Sequence, residues 1–159
     1  RFFAQVRERL TPDGVALLHT IGRGRGPGRT DPWIRKYIFP GGYIPALSEI
    51  SRAIEHERLE TTDIEVLRLH YAETLRRWRR RFLANRKRVE AIYDERFRRM
   101  WEFYLAVSEV SFRHLDSVVF QIQMAKCRDA VPLVRDYLYL PDSRPKLRVV
   151  PGRSGPRTA

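Results

Sequence analysis

Sulfur is nearly missing from this chain: one cysteine, Cys127, stands among 159 residues. A single thiol excludes an internal disulfide and cannot by itself build a multi-cysteine zinc site. It agrees with a reducing compartment. No apolar run reaches the length of a membrane-spanning helix, and the first residues do not read as a charged-then-apolar leader. The sequence opens on Arg1 rather than Met, and the expectation is that a segment stood upstream of it. Acidic residues are the other shortage. Nineteen Asp and Glu face 31 Lys and Arg, a formal charge of +12. That excess favours anionic partners, whether nucleic acid, an anionic membrane surface or phosphorylated substrates, and charge alone does not choose among them. With 43% hydrophobic residues the composition is that of one globular domain with a real core.

The apolar residues that are present fall into ordered blocks. Phe2, Phe3, Val6 and Leu10 recur at helical spacing. Thr11-Pro12-Asp13-Gly14 then has turn chemistry. Val15 to Leu18 is apolar without alternation and turns polar at His19 and Thr20 before closing on Gly22. This pattern predicts a strand over 15–21, buried on both faces as in a parallel sheet. His19 would then lie at the carboxyl end of that strand, where α/β folds place ligands. A hydrogen-bonded strand-end histidine is the competing reading.

Residues 22–32, GRGRGPGRTDP, alternate glycine with arginine and lack a P-loop Lys-Ser/Thr. They read as a surface loop, with a weak RNA-binding segment as the alternative. Trp33 to Phe39 is aromatic and apolar, with Arg35 and Lys36 inserted, and ends at the Pro40-Gly41-Gly42 turn. A short amphipathic helix is predicted over 47–56 and a second strand over 59–69.

Two long helices are predicted next. The first starts near Tyr71 and keeps Leu75, Trp78, Phe82, Val89 and Ile92 on one face. No acid interrupts residues 74–89, where eight cations crowd together. They are either a solvated face or a contact with an anionic surface, and Trp and Phe near the apolar edge fit a membrane headgroup region. The second helix, 93–113, aligns Phe97, Trp101, Tyr104, Ser108 and Phe112 in one stripe, which as a bare pattern reads as core. Residues 117–125, SVVFQIQMA, alternate as a strand. The basic, Pro/Gly-rich stretch 141–159 is predicted to be a disordered tail.

LLHTIG, DPWIRKYIFPGGYIP, HYAETLRRW, FYLAVSEVSFR and VVFQIQMAK, in that order, resemble the C-terminal half of the cyclopropane-fatty-acyl-phospholipid synthases and mycolic acid cyclopropane synthases. The likeness covers about residues 1–135. It implies an α/β fold: the C-terminal part of a class I (Rossmann-like) methyltransferase sheet with long inserted helices, occupying residues 1–140. In that family S-adenosylmethionine (SAM) methylates a cis double bond of a phospholipid acyl chain, and the cation loses a proton and closes to a cyclopropane. A bound bicarbonate ion is the base. The resemblance implies that His19, the backbone amide of Ile21 and the hydroxyl of Tyr71 hold that anion. It also implies that Tyr104, Ser108, Phe112 and, more weakly, Phe39 line the acyl channel. The i, i+4, i+8 spacing of Tyr104, Ser108 and Phe112 independently places them on one helix face.

Departures from the family pattern set further expectations. No glycine-rich SAM-binding loop follows a strand, and no acid stands where a ribose ligand is expected. The chain is therefore expected neither to bind SAM well nor to turn over alone. Its expected partners are anionic membrane phospholipids, with a homodimer left open and no nucleic acid. Its expected place is cytoplasmic, peripheral at the inner face of the membrane. Two competing readings remain: a related methyltransferase acting on another lipid or small molecule, and a basic nucleic-acid-binding module, for which no RRM, KH or zinc-finger signature is found.

Overall fold

The computed structural model describes residues 1–139. The predicted tail at 141–159 lies outside the described residues. In order the elements are α1 (Phe2–Arg9), β1 (Val15–Arg23), α2 (Pro32–Tyr37), α3 (Leu47–His56) and β2 (Glu60–Leu67). There follow α4 (His70–Ala84), α5 (Arg86–Glu90), α6 (Glu95–His114), β3 (Ser117–Ala125) and a 3-10 turn at Arg135–Leu138.

The most apolar strand takes the middle of the sheet. The order is β1-β3-β2, and β3 runs antiparallel to both neighbours. Period-2 alternation sends Val118, Phe120, Ile122 and Met124 to one face, where α3 and α1 cover them through Ile50, Ile54, Phe3 and Val6. Val119 faces the other way, into a second core with Ala72 and Leu75 of α4 and Leu105 and Phe112 of α6. The result is an α/β sandwich of helix, sheet and helix layers, as expected.

The strand at 15–21 corrects the sequence reading. It is longer, 15–23, and its ladder is antiparallel, with β3; on its other edge the described residues make one isolated parallel bridge, Arg23 to Ala46, so it is not a strand of a parallel sheet here. Nor is it buried on both faces. Ala16 and Leu18 pack on the α1–α3 layer, while Val15, Leu17, His19 and Ile21 are exposed on the opposite face. Its burial alternates although its hydrophobicity does not, because a helical layer covers only one side of it.

Gly22 is needed for sterics. A Cβ there would sit 2.1 Å from Cε2 of Phe120, so the ring fills the space a side chain would take. At the far end of β1 the Arg23 amide donates to the Pro45 carbonyl (2.9 Å) and the Gly24 amide to the Asp116 carbonyl (2.7 Å).

The first long helix is also corrected. It stops at Ala84, and a separate turn, α5, follows. Asn85 leaves helical geometry at φ −102°, ψ 21°, and its side-chain amide donates to the Arg81 carbonyl (2.8 Å), closing the end of α4. The expected apolar face therefore splits: Leu75 is buried, whereas Ile92 is 66% exposed beyond the break. Asp94 caps α6 through the Phe97 amide (2.7 Å), and Asp31 caps α2 through the Trp33 and Ile34 amides. In α3, Glu49 reaches back to the Ala46 amide (2.8 Å), which is half a capping box because alanine has no side-chain oxygen.

Candidate functional site

The C-terminal part of the α6 stripe, Tyr104, Ser108 and Phe112, faces a cleft of about 670 Å³ against β1 and the 29–44 segment, while Phe97 and Trp101 lie outside it. Ile21, Phe39, Tyr104, Ser108 and Phe112, five of the residues singled out from the sequence, all line it. Their convergence follows from the fold. Ile21 pairs in register with Val119, and Val119 packs with Phe112, so the end of β1 meets the C-terminal part of α6. Phe39 lies edge-on to Tyr104, with centroids 6.0 Å apart. Most of the remaining wall is apolar, from Trp33, Ile34, Ile44, Phe103, Val107 and Leu115. Burial pushes the Tyr104 phenol up, while the Ser108 hydroxyl beside it pulls the other way.

One end of the cleft is polar and balanced in charge. Arg23 pairs with Asp116 (3.2 Å) and also donates to the Arg29 carbonyl, tying the glycine-arginine loop back onto the α6–β3 junction. The Thr30 hydroxyl is buried in this wall with no hydrogen-bond partner among the described residues. A bound molecule that offers a donor or acceptor there would satisfy it.

His19 and Tyr71 do not line the cleft; they stand beside it. Tyr71, in the first turn of α4, packs its ring on Phe112 with centroids 5.3 Å apart. His19 shares a strand face with Ile21, two residues away. It is hydrogen-bonded, as the competing reading held: the Gln121 side-chain amide donates to Nδ1 at 3.2 Å. That contact has a chemical consequence. With Nδ1 accepting, the neutral imidazole carries its proton on Nε2, which is left free to donate. Gln121 was visible in the sequence as a polar residue of an alternating strand, but only the β1–β3 register, His19 opposite Gln121, assigns it a partner.

The Ile21 amide makes no bond to β3 and meets no acceptor among the described residues. Arg23 donates on the edge away from β3, and two residues back along the pleat the Ile21 amide points to that edge as well. No hydrogen bond of the Tyr71 hydroxyl is made among the described residues. The His19 ring and the Tyr71 ring lie on the α4–α6 side of the sheet, and the Ile21 amide lies at the adjoining edge of β1. An imidazole N–H, a backbone N–H and a phenol O–H so placed form a donor set that fits a small oxyanion. The described residues do not fit an adenosyl donor. The amides of Arg23 and Gly24 are already bonded, and Asp31 is spent on capping α2. Among the described residues no cluster of His, Cys, Asp or Glu could hold a metal.

The family model described as mycolic acid cyclopropane synthetase matches residues 1–122. The tuberculostearic acid methyltransferase UfaA1 of Mycobacterium tuberculosis is 42% identical over 119 residues, 71% of this chain and 28% of that protein. The cyclopropane-fatty-acyl-phospholipid synthase of Escherichia coli is 38% identical over 126 residues, 79% of this chain and 32% of that protein. A solved structure of the mycolic acid cyclopropane synthase CmaA1, complexed with SAH and CTAB, superposes with a TM-score of 0.70 at 28% identity. It covers 77% of this chain and 48% of that one. The chain thus spans under a third of the length of the two curated relatives.

Proposed function

Since this chain belongs to the mycolic acid cyclopropane synthetase family, we propose that it serves SAM-dependent modification of lipid acyl chains: methyl transfer to a cis double bond of a phospholipid acyl chain, closing to a cyclopropane ring. The observation that carries this reading is the apolar cleft in which Ile21, Phe39, Tyr104, Ser108 and Phe112 meet beside the His19, Ile21 and Tyr71 donors. The family supports SAM as donor, and CmaA1 was solved with SAH.

The residues present can be given roles. Phe39, Phe112 and Ile21 exclude water and hold an extended alkyl segment, which fixes its double bond relative to the donors on β1. The faces of Tyr104 and Phe112 stabilise positive charge that develops on the acyl chain. His19 through Nε2–H, the Ile21 amide and the Tyr71 hydroxyl would hold bicarbonate. When bound, that ion supplies a base for the proton lost on ring closure. Gln121 keeps the His19 donor in the required tautomer.

Loss of the proton from elsewhere in the same cation gives a methyl-branched chain that keeps one double bond, an isomer of the cyclopropane. This second reading is favoured by the identity to UfaA1, itself a methyltransferase. We also propose that the protein works at anionic phospholipid membranes. Arg77, Arg80, Arg81, Lys87 and Arg88 have no acidic partner among the described residues, and no described helix is long and apolar enough to cross a membrane.

The test uses protein purified from its native source, vesicles of cis-unsaturated phosphatidylglycerol and labelled SAM. Gas chromatography with mass spectrometry of the released acyl chains is expected to show one added CH2 as a ring, strongly reduced by Tyr71→Phe. A branched chain of the same mass would establish the second reading. Unmodified acyl chains would refute both.

A further inference from the structure

A second cleft, of about 720 Å³, opens on the other side of the Trp33–Phe103 pair. Its character is opposite to that of the acyl cleft. Arg79 of α4 and Arg96 and Arg99 of α6 line it, with Trp33, Tyr37 and Phe103 as the aromatic wall and Glu102 as the only acid. Arg96, Arg99, Met100 and Phe103 follow i, i+3, i+4, i+7 spacing, so one face of α6 supplies both the charge and the wall.

The charges are not neutralised internally. Glu102 lies 3.5 Å from Arg79 and is also shared with Arg98, while Arg96 and Arg99 pair with no acid among the described residues. The Arg79 Nε is buried without a hydrogen-bond partner. Lys36 adds a fourth cation near the rim, its Nζ 5.0 Å from the centroid of the Tyr37 ring. Three arginines against one carboxylate leave this cleft electropositive. The acyl cleft, by contrast, balances Arg23 and Arg29 against Asp31 and Asp116. An anionic group is therefore drawn to the second cleft, where guanidinium groups match phosphate oxygens in geometry as well as charge.

The two clefts share a partition. Trp33 and Phe103 line both, and their rings meet edge to face at 4.8 Å. We propose that the Arg79–Arg96–Arg99 cleft binds the phosphate of a phospholipid headgroup while the acyl chain of the same molecule enters the neighbouring apolar cleft, the Trp33–Phe103 pair marking the junction. This rests on the acyl-cleft reading above and adds a site for the charged end of the substrate. Specificity for phosphorylated lipids then resides in Arg79 of α4 and Arg96 and Arg99 of α6, none of which lines the acyl cleft.

The experiment follows the Trp33 indole N–H by two-dimensional NMR, its peak assigned with Trp33→Phe. Three probes are titrated: dihexanoylphosphatidylglycerol below its critical micelle concentration, octyl glucoside and inorganic phosphate. The phospholipid is expected to bind most tightly. Arg96→Glu/Arg99→Glu is expected to weaken it about tenfold or more and to leave octyl glucoside binding unchanged. Should that variant fail to fold by circular dichroism, Arg96→Gln/Arg99→Gln carries the same test. Phospholipid affinity untouched by either variant would overturn the proposal. So would inorganic phosphate binding as tightly as the phospholipid, or a short single-stranded RNA binding more tightly than both. If octyl glucoside fails to bind while phospholipid binding still depends on Arg96 and Arg99, the phosphate site stands and the acyl-cleft reading falls.

Discussion

Gly22→Ala tests how β1 is held against the core. The added methyl would lie 2.1 Å from Cε2 and 2.4 Å from Cδ2 of Phe120, and 3.0 Å from the Pro45 carbonyl oxygen. Carbon atoms in contact need about 3.5–4.0 Å, so ring and strand must separate by well over an ångström. The ring cannot swing away cheaply. Phe120 is 2% exposed and packed with Ile54, Ile122 and Met124 of the same core. Overpacking of this kind costs about 1–3 kcal/mol, and the overlap here argues for the upper half of that range. For a chain of this size that corresponds to a fall in melting temperature of roughly 4–12 °C. Thermal and urea unfolding followed by circular dichroism measure it. Phe120→Leu alone is expected to cost about 1–2 kcal/mol, and in that background Gly22→Ala should cost roughly 1 kcal/mol less than in the wild type. A Gly22→Ala protein within about 0.5 kcal/mol of the wild type would refute the steric argument. Strict additivity of the two substitutions would refute it as well.

Other expectations rest on separate contacts. Gln121→Leu removes the donor to His19 Nδ1, so nitrogen NMR should show a larger share of the Nδ1–H tautomer at His19 than in the wild type while the fold is kept. Arg98 is 9% exposed and holds Glu90 at 3.1 Å, Glu95 at 3.5 Å and Glu102 at 3.9 Å. Its replacement by Met should cost about 1–3 kcal/mol in urea unfolding, less than for a fully buried network because the carboxylates are partly solvated. The Glu73 carboxyl is held below the usual range, first by the hydrogen bond from Arg113 and then by the charges of Arg76 and Arg113. A depressed carboxylate stabilises the fold above its unfolded pKa, and this is lost as pH falls through its folded pKa. Glu73→Gln should therefore lower the melting temperature near neutral pH and converge with the wild type in acid. A constant difference at all pH values would contradict this.

Much of this protein was legible in the residues themselves. The alternation of SVVFQIQMA marked β3 to its ends, because a strand with one fully covered face repeats its apolar residues, here Val118, Phe120, Ile122 and Met124, at every second position. The stripe Tyr104, Ser108, Phe112 lay on one helix face for a geometric reason that needs no neighbour, and the ordered motifs carried the family. Two local readings failed because burial depends on what lies opposite. Val15 to Leu18 is apolar at each position, yet only the side chains facing α1 and α3 are buried. The run of apolar residues to Ile92 kept helical spacing past Asn85, but a side-chain amide that closes the helix competes with periodicity and wins.

The site divides in the same way. Sequence supplied its residue types: a histidine in the first strand, which the longer strand 15–23 places at its middle rather than at the expected carboxyl end, a tyrosine opening a helix, an aromatic stripe, a surplus of arginine. Only the tertiary structure decided which of them meet. Register placed Gln121 opposite His19, separated by 102 positions in the chain. Packing of α2 against α6 set Trp33 on Phe103 and so divided one apolar cleft from one arginine cleft. Such contacts between distant residues leave no periodic trace in a linear chain, since they arise only when the sheet closes and the helices choose their faces.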